Sequence, residues 1–186
     1  MQIDPEILEV IYTNKERDLK SLSEQGPILL VFLRHFGCTF CRETLTDMAI
    51  MRDEIEAKGI IPVMVHMSED EIAEDYFERY KIPNIEHVSD PDLTLYEYFG
   101  LFKGTFSQLY GLKVWIRGFK AVMVDGHKAP YSGKGLGKVS QMPGLFIVQN
   151  GNVQAQFVHH SAADRPNYLQ IVEEYLNNQN SSQNRE

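Results

Sequence analysis

Two cysteines make up the whole thiol inventory of the chain. They sit three positions apart in Arg34-His35-Phe36-Gly37-Cys38-Thr39-Phe40-Cys41-Arg42-Glu43. The pair follows an apolar run, Ile28 to Leu33, and precedes a helix-like pattern. A C-x-x-C in that context can open and close a disulfide within one helical turn. A helix start offers free N–H groups and partial positive charge, which favour the thiolate, the reactive form of cysteine. Two other readings use the same residues. A structural zinc needs four ligands, so His35 and distant histidines would have to complete the set. Two small apolar core residues are the other option, against which Arg34, His35 and Arg42 argue. Redox chemistry is the reading that this context favours.

Position divides the labour within the pair. Cys41 shares an apolar stripe with Leu45 and Met48, where desolvation raises a thiol pKa. Cys38 lies at or just before the first turn, so it is expected to be the nucleophile and Cys41 the resolving thiol. Arg34 and His35 supply a positive charge for a thiolate or a peroxide oxygen, or else form a strand-end pair facing solvent; sequence alone leaves both open. Arg42 is expected at the surface.

The elements that must hold this site are legible in outline. Asp4-Pro5 reads as a helix start, with Ile7, Leu8 and Ile11 on one face. Ser21 to Gly26 reads as a polar turn. Ile28 to Leu33 reads as a strand buried on both faces. A helix then runs on Cys41, Leu45, Met48 and Ile55 and closes at Gly59. Ile60 to Val65 is the next strand, followed by a capping box in Ser68-Glu69-Asp70-Glu71. Ser89-Asp90-Pro91 starts a helix with Leu93, Tyr96 and Phe99 inward. Phe106 to Phe119 is aromatic-rich and helical in pattern; the aromatics from Tyr96 to Phe119 read as core or as a strip for a partner. Gly126 to Met142 is a glycine-rich loop, in which Gly133 to Lys138 misses the phosphate-loop spacing and reads as a flap or surface loop. Asn150-Gly151 marks a hairpin. His159-His160 reads as a strand-end pair pointing apart, not as a metal site. A last helix spans Asp164 to Leu176, and residues 177–186 form a polar, frayed tail. This order fits one domain over 1–176, an α/β fold with a central mixed sheet covered by helices on both faces.

A net charge of -8 excludes the usual nucleic-acid binder, which needs a surplus of Lys and Arg. No apolar stretch is long enough to span a membrane. Met1 to Glu6 shows no basic region followed by an apolar core, so no secretory signal is expected and the reducing cytosol is the default.

The segment Phe32 to Glu43 resembles the signature of the peroxiredoxin-like branch of the alkyl hydroperoxide reductase and thiol-specific antioxidant family. Ser89-Asp90-Pro91-Asp92-Leu93-Thr94-Leu95-Tyr96 is similar to the S-D-P stretch of that family. Met142-Pro143-Gly144-Leu145-Phe146-Ile147-Val148 looks like the cis-Pro and strand of the thioredoxin fold, and His159 to Pro166 resembles the branch's C-terminal segment. The resemblance implies a thioredoxin-like fold. It departs from the peroxiredoxin pattern P-x-x-x-T-x-x-C. With Cys41 as the peroxidatic Cys, Arg34 replaces the Pro and Cys38 replaces the Thr; the later strand offers Met142-Pro143 in place of an Arg. That register makes Cys41 the attacking residue, whereas a thioredoxin-like dithiol makes it Cys38.

The expectation is a thiol-disulfide oxidoreductase in which Cys38 attacks a peroxide or a protein disulfide and Cys41 resolves it. Arg34, His35, Thr39, Met142 and Pro143 support the site. A thioredoxin or glutathione system is the reductant. No cofactor or metal is required, and a homodimer is an option. The competing expectation is a non-catalytic thioredoxin-fold module that binds partners; a metal-binding module is the third.

Overall fold

All five residues of Ile28–Phe32, strand β1, are buried. The computed structural model describes residues 5–123 and 135–183. β1 is the centre of a five-stranded sheet because it carries apolar side chains on both faces. It pairs in parallel with β2 (Ile61–His66), which pairs in parallel with β3 (Glu86–Ser89). On its other side it pairs antiparallel with β4 (Gly144–Gln149), which pairs antiparallel with β5 (Asn152–Val158). The order is β3-β2-β1-β4-β5, a mixed sheet of the thioredoxin-like kind. The predicted hairpin is present, with Asn150 and Gly151 at φ 50° and 70° between β4 and β5.

The sheet separates two cores. On one face Leu29, Val31 and Met64 meet α3 (Thr39–Ala57) through Leu45, Met48 and Ile55. That core also takes Ala73 and Phe77 of α4 (Asp70–Arg79) and Val172 of α8 (Tyr168–Gln183). On the other face Ile28, Leu30 and Phe32 meet Leu8 of α1 (Pro5–Val10), Leu19 and Leu22 of α2 (Leu19–Gln25), and Tyr96 of α5 (Thr94–Tyr98). Helices α6 (Phe106–Tyr110) and α7 (Leu112–Met123) complete the described elements, and α7 packs against α3. Among the described residues no helix is long and apolar enough to cross a membrane.

Several boundaries differ from the sequence pattern for local reasons. The turn expected at Ser21 to Gly26 is helix α2. Asp18 caps it by accepting the Ser21 N–H at 2.8 Å, and Leu19 and Leu22 anchor it. Helix α3 begins at Thr39, so Cys38 is its N-cap residue. At α4 the N-cap is Glu69, not Ser68, and it makes no side-chain cap bond. Helix α5 begins at Thr94, because the Asp90 carboxylate accepts the N–H groups of Thr94, Leu95 and Tyr96. Helix α8 begins at Tyr168, because the Asp164 carboxylate is taken by the N–H groups of His160 and Ser161 in a loop. It then continues to Gln183 through the stretch whose composition predicts fraying, and the Ser181 hydroxyl bonds Asn177 O at 2.8 Å. The aromatic segment divides: Tyr96 and Phe99 are core, whereas Phe102, Phe106, Trp115 and Phe119 are exposed.

Tyr96 pins the strand ends that lead into the cysteine loop. Its hydroxyl, fully buried, lies 2.5 Å from Leu33 O and 3.0 Å from Val65 O. Tyr96→Phe should lower stability by about 1–3 kcal/mol, the usual cost of stranding a buried polar group. Urea unfolding checks this: the midpoint should fall while the slope stays unchanged.

Candidate active site

Beyond Phe32 the chain leaves the sheet after one last bond, Leu33 N–H to Val65 O. It turns back through Cys38 N–H to His35 O and enters α3, whose first bond runs from Arg42 N–H to Cys38 O. This turn puts both sulfurs under backbone donors. The N–H groups of Arg34 and His35 point at Cys41 Sγ, at 3.1 and 3.4 Å. Cys38 and Cys41 are free thiols 4.2 Å apart, and each is nearly fully buried.

Arg34 is buried as well, at 6% exposure. Its guanidinium is aimed in three directions. Nε donates to Gln141 O at 3.1 Å, Nη2 donates to Val139 O, and Nη1 lies 3.2 Å from Cys38 Sγ. Those partners are two neutral carbonyls and one sulfur. The Cys38 thiolate is therefore the negative partner the geometry provides for this cation.

The two thiols are driven apart in acidity. Cys38 is lowered from its ordinary 9.0 to about 6. The main cause is the Cys41 thiol facing it; Arg34 and the N–H groups of Cys41 and Phe40 add to it, against the opposing effect of burial. Cys41 is pushed up, foremost by burial and then by the neighbouring Cys38. At neutral pH the arrangement is a thiolate at Cys38 beside a thiol at Cys41.

The neighbours expected from sequence divide into three groups. Arg34 stands at the sulfur. His35 is close but does not bring charge: burial, then Arg34 and Arg42, hold its pKa down to about 4, so the ring is neutral at pH 7. Thr39 is the first residue of α3 and is buried, but the cap position belongs to Cys38. Arg42, expected at the surface, is 1% exposed and donates from Nε to Phe36 O. Cys38 is itself covered rather than open. Met142 and Pro143 enter β4 through a trans bond; among the described residues no peptide bond is cis. That entry is already held extended. Met142 N–H bonds Phe102 O, the Lys103–Gln141 bridge precedes it, and Arg34 grips the Gln141 carbonyl. His159 is buried and His160 exposed, as two successive strand-end residues pointing apart require.

The glycine-rich loop falls partly outside the described residues, Gly133 and Lys134 included. Its described part lies against the site: Phe36 N–H bonds Leu136 O. Gly137 has φ 103°, and a Cβ there would stand 3.2 Å from His35 Cβ, so this position takes glycine on both counts.

Sequence reasoning missed the brace behind α3. Glu43 and Asp47, one turn apart and buried, hold two arginines from distant segments. Arg117 of α7 reaches Glu43 at 2.5 Å and covers the Phe40 ring. Arg165 forks onto Asp47 at 2.5 and 2.9 Å. The i, i+4 carboxylates were the one available signal. Gln141, buried with its amide donating to Leu101 O at 2.6 Å, was not signalled at all.

Residues 44–162 match the family described as AhpC/TSA antioxidant enzyme. The chain belongs to that family. The matched segment starts just after Cys41, so membership rests on the body of the fold. A thioredoxin-like protein of Arabidopsis thaliana, AAED1, named as chloroplastic, is 26% identical over 102 residues. The aligned stretch is 53% of this chain and 41% of that protein, so the chain spans well under half the length of the curated relative. Among solved structures, a cysteine-to-serine mutant of peroxiredoxin 6 from Arenicola marina superposes with TM-score 0.66 at 10% identity, over 93% of this chain and 70% of the other. Reduced Prx3 from Vibrio vulnificus in complex with hydrogen peroxide gives 0.63 at 13% identity, over 96% of each chain. At such identities the likeness shows the fold.

Removing the charge beside Cys38 should be visible in its pH profile. Arg34→Met should move the midpoint of iodoacetamide reactivity upward from about 6. A two-unit rise would cut the thiolate fraction at pH 7 about tenfold. Arg34→Lys, which keeps the charge, should retain most of the low midpoint. An unmoved midpoint in Arg34→Met would assign the acidity to the helix and Cys41 alone.

Proposed function

We propose that this protein is a thiol peroxidase working through a Cys38–Cys41 dithiol in a single thioredoxin-like domain. The observation that carries the reading is the Cys38 sulfur at the N-cap of α3 with Arg34 Nη1 at 3.2 Å. In the first step the Cys38 thiolate attacks one oxygen of a hydroperoxide. The O–O bond breaks, the sulfur becomes a sulfenic acid, and the departing oxygen takes a proton from solvent. Arg34 faces the place where negative charge moves from sulfur to oxygen. In the second step Cys41 attacks the sulfenic sulfur; its own proton leaves with the hydroxyl as water, and the disulfide forms. An external dithiol of the thioredoxin kind, or two glutathione thiols, then takes the oxidation and restores both thiols.

Burial favours peroxide over a protein disulfide as the oxidant. With Cys38 only 4% exposed, a protein-bound sulfur has no in-line approach to Sγ, whereas a small hydroperoxide has the size to enter. Closing the disulfide needs the sulfurs, now 4.2 Å apart, to come to about 2.05 Å. That shift occurs where the chain enters α3, so the disulfide form can present itself to a reductant differently from the dithiol. A second copy of the chain is a candidate partner at the exposed strip of Phe106, Trp115 and Phe119. The reading requires a reducing compartment. The cytosol is one; the chloroplast named for the Arabidopsis relative is another.

Stopped-flow mixing of the reduced protein with hydrogen peroxide tests the proposal. Thiol loss should outpace that of free cysteine by at least about tenfold, in line with a positioned, preformed thiolate. Cys38→Ser should abolish it. Cys41→Ser should leave the first step intact and accumulate a sulfenic acid that dimedone traps. A rate no faster than free cysteine would contradict the peroxidase reading.

A further inference from the structure

Strands β2 and β3 carry a pair of histidines that the thiol chemistry does not use. The register sets Met64 opposite His87, so His66, two residues on, lies on the same face as His87. Each ring is only 1% exposed. His66 Nε2 and His87 Nδ1 face each other at 2.9 Å. Asp70 Oδ1, at the start of α4, lies 3.6 Å from His87 Nδ1. The three groups offer ligand atoms within 4.8 Å of one another. One turn further along α4, Glu74 Oε1 lies 3.8 Å from His87 Nε2.

Proton bookkeeping decides what such a pair wants. A neutral imidazole has one N–H, and two ring nitrogens in contact need one donor and one acceptor. If His87 gives the inner proton, its Nε2 is bare and faces the Glu74 carboxylate, acceptor against acceptor. If His66 gives it, His66 Nδ1 is bare and buried. Neither outer nitrogen has a hydrogen-bond partner, and both are fully buried. One inner N–H can join the two rings, but in either tautomer a buried outer nitrogen stays unpartnered. With protons on both outer nitrogens, the two inner lone pairs face each other and the Asp70 carboxylate, an arrangement suited to a cation.

We propose that His66 Nε2, His87 Nδ1 and the Asp70 carboxylate bind a divalent transition-metal ion of the zinc class, with water completing the tetrahedron. Imidazole and carboxylate in a set of three with one open position suit that class. Metal–nitrogen bonds of about 2.0–2.1 Å put the two nitrogens about 3.3 Å apart, so the rings need open by only a few tenths of an ångström. The His87 Nε2–H then points at Glu74, the outer carboxylate that orients a ligating histidine. A groove lined by Glu71, Glu74, Asp75 and Glu78 leads to His87 and supplies a cation-attracting approach. Phe36 packs on His66 with ring centres 5.6 Å apart and leads on to the cysteine turn, so the ion would sit behind the redox loop and apart from its sulfurs.

Cobalt titration of the metal-stripped, full-length protein tests this by visible absorption. The expected result is one Co2+ per chain, with bands of nitrogen and oxygen ligation, no thiolate-to-cobalt charge-transfer band, and displacement by Zn2+. Asp70→Asn changes an exposed side chain and should fold normally by circular dichroism, yet weaken binding by about tenfold or more; Glu74→Gln should weaken it about tenfold. Either of two results would overturn the proposal: no 1:1 binding, or Asp70→Asn binding within threefold of wild type. A thiolate charge-transfer band would do the same, by assigning the metal to the cysteines.

Discussion

A guanidinium keeps its charge at any depth, so burying Arg34 obliges the fold to set negative character beside it. Two backbone carbonyls, Val139 O and Gln141 O, satisfy two arms, and the third meets Cys38 Sγ. Much else in the molecule serves that contact. The Cys38 sulfur is held by the turn from His35 and by the start of α3. The carbonyls come from the segment before β4, fixed by the Lys103–Gln141 bridge and by the Gln141 amide on Leu101 O. Arg117 and Arg165 hold α3 from behind through Glu43 and Asp47.

The same contact explains why the two cysteines differ though both are buried. Burial alone raises a thiol pKa. At Cys38 three influences outweigh it: the facing Cys41 thiol, the Arg34 charge and the N–H groups of the first turn. At Cys41 the N–H groups of Arg34 and His35 do not outweigh burial and the neighbouring charge. One helical turn thus holds two thiols of opposite tendency, Cys38 lowered in pKa and Cys41 raised.

What was legible in the sequence was what is local. The continuous run Ile28 to Leu33 fits a strand covered on both sides, and Asn150-Gly151 is a strong hairpin signal; both are present. The spacing of Cys38 and Cys41, with Leu45 and Met48 on the stripe of Cys41, pointed to the difference in acidity between the thiols. Where a contact spans distant segments the pattern was silent. Arg34 meets Gln141 across 107 positions and Arg165 meets Asp47 across 118. His66 and His87 meet only because β2 and β3 are neighbours in register. Burial was the other blind spot. Arg42 and His35 read as surface or charged residues because charge in sequence gives no depth; both are buried, and the loop at Gly137 lies against His35. The trans bond at Met142–Pro143 shows a resemblance extended one feature too far: the segment fills the family's place in the fold while its carbonyls serve Arg34.

The central claim is that Cys38, not Cys41, is the thiolate. The most direct measurement is competition within one molecule. Reduced protein at pH 7 is treated with a limiting amount of iodoacetamide, digested, and the label is mapped by mass spectrometry. Label on Cys38 in excess over Cys41 by about tenfold or more is the predicted result, given a pKa of about 6 against one pushed upward. Preferential label on Cys41 would contradict the account and restore the register in which Cys41 is the peroxidatic residue.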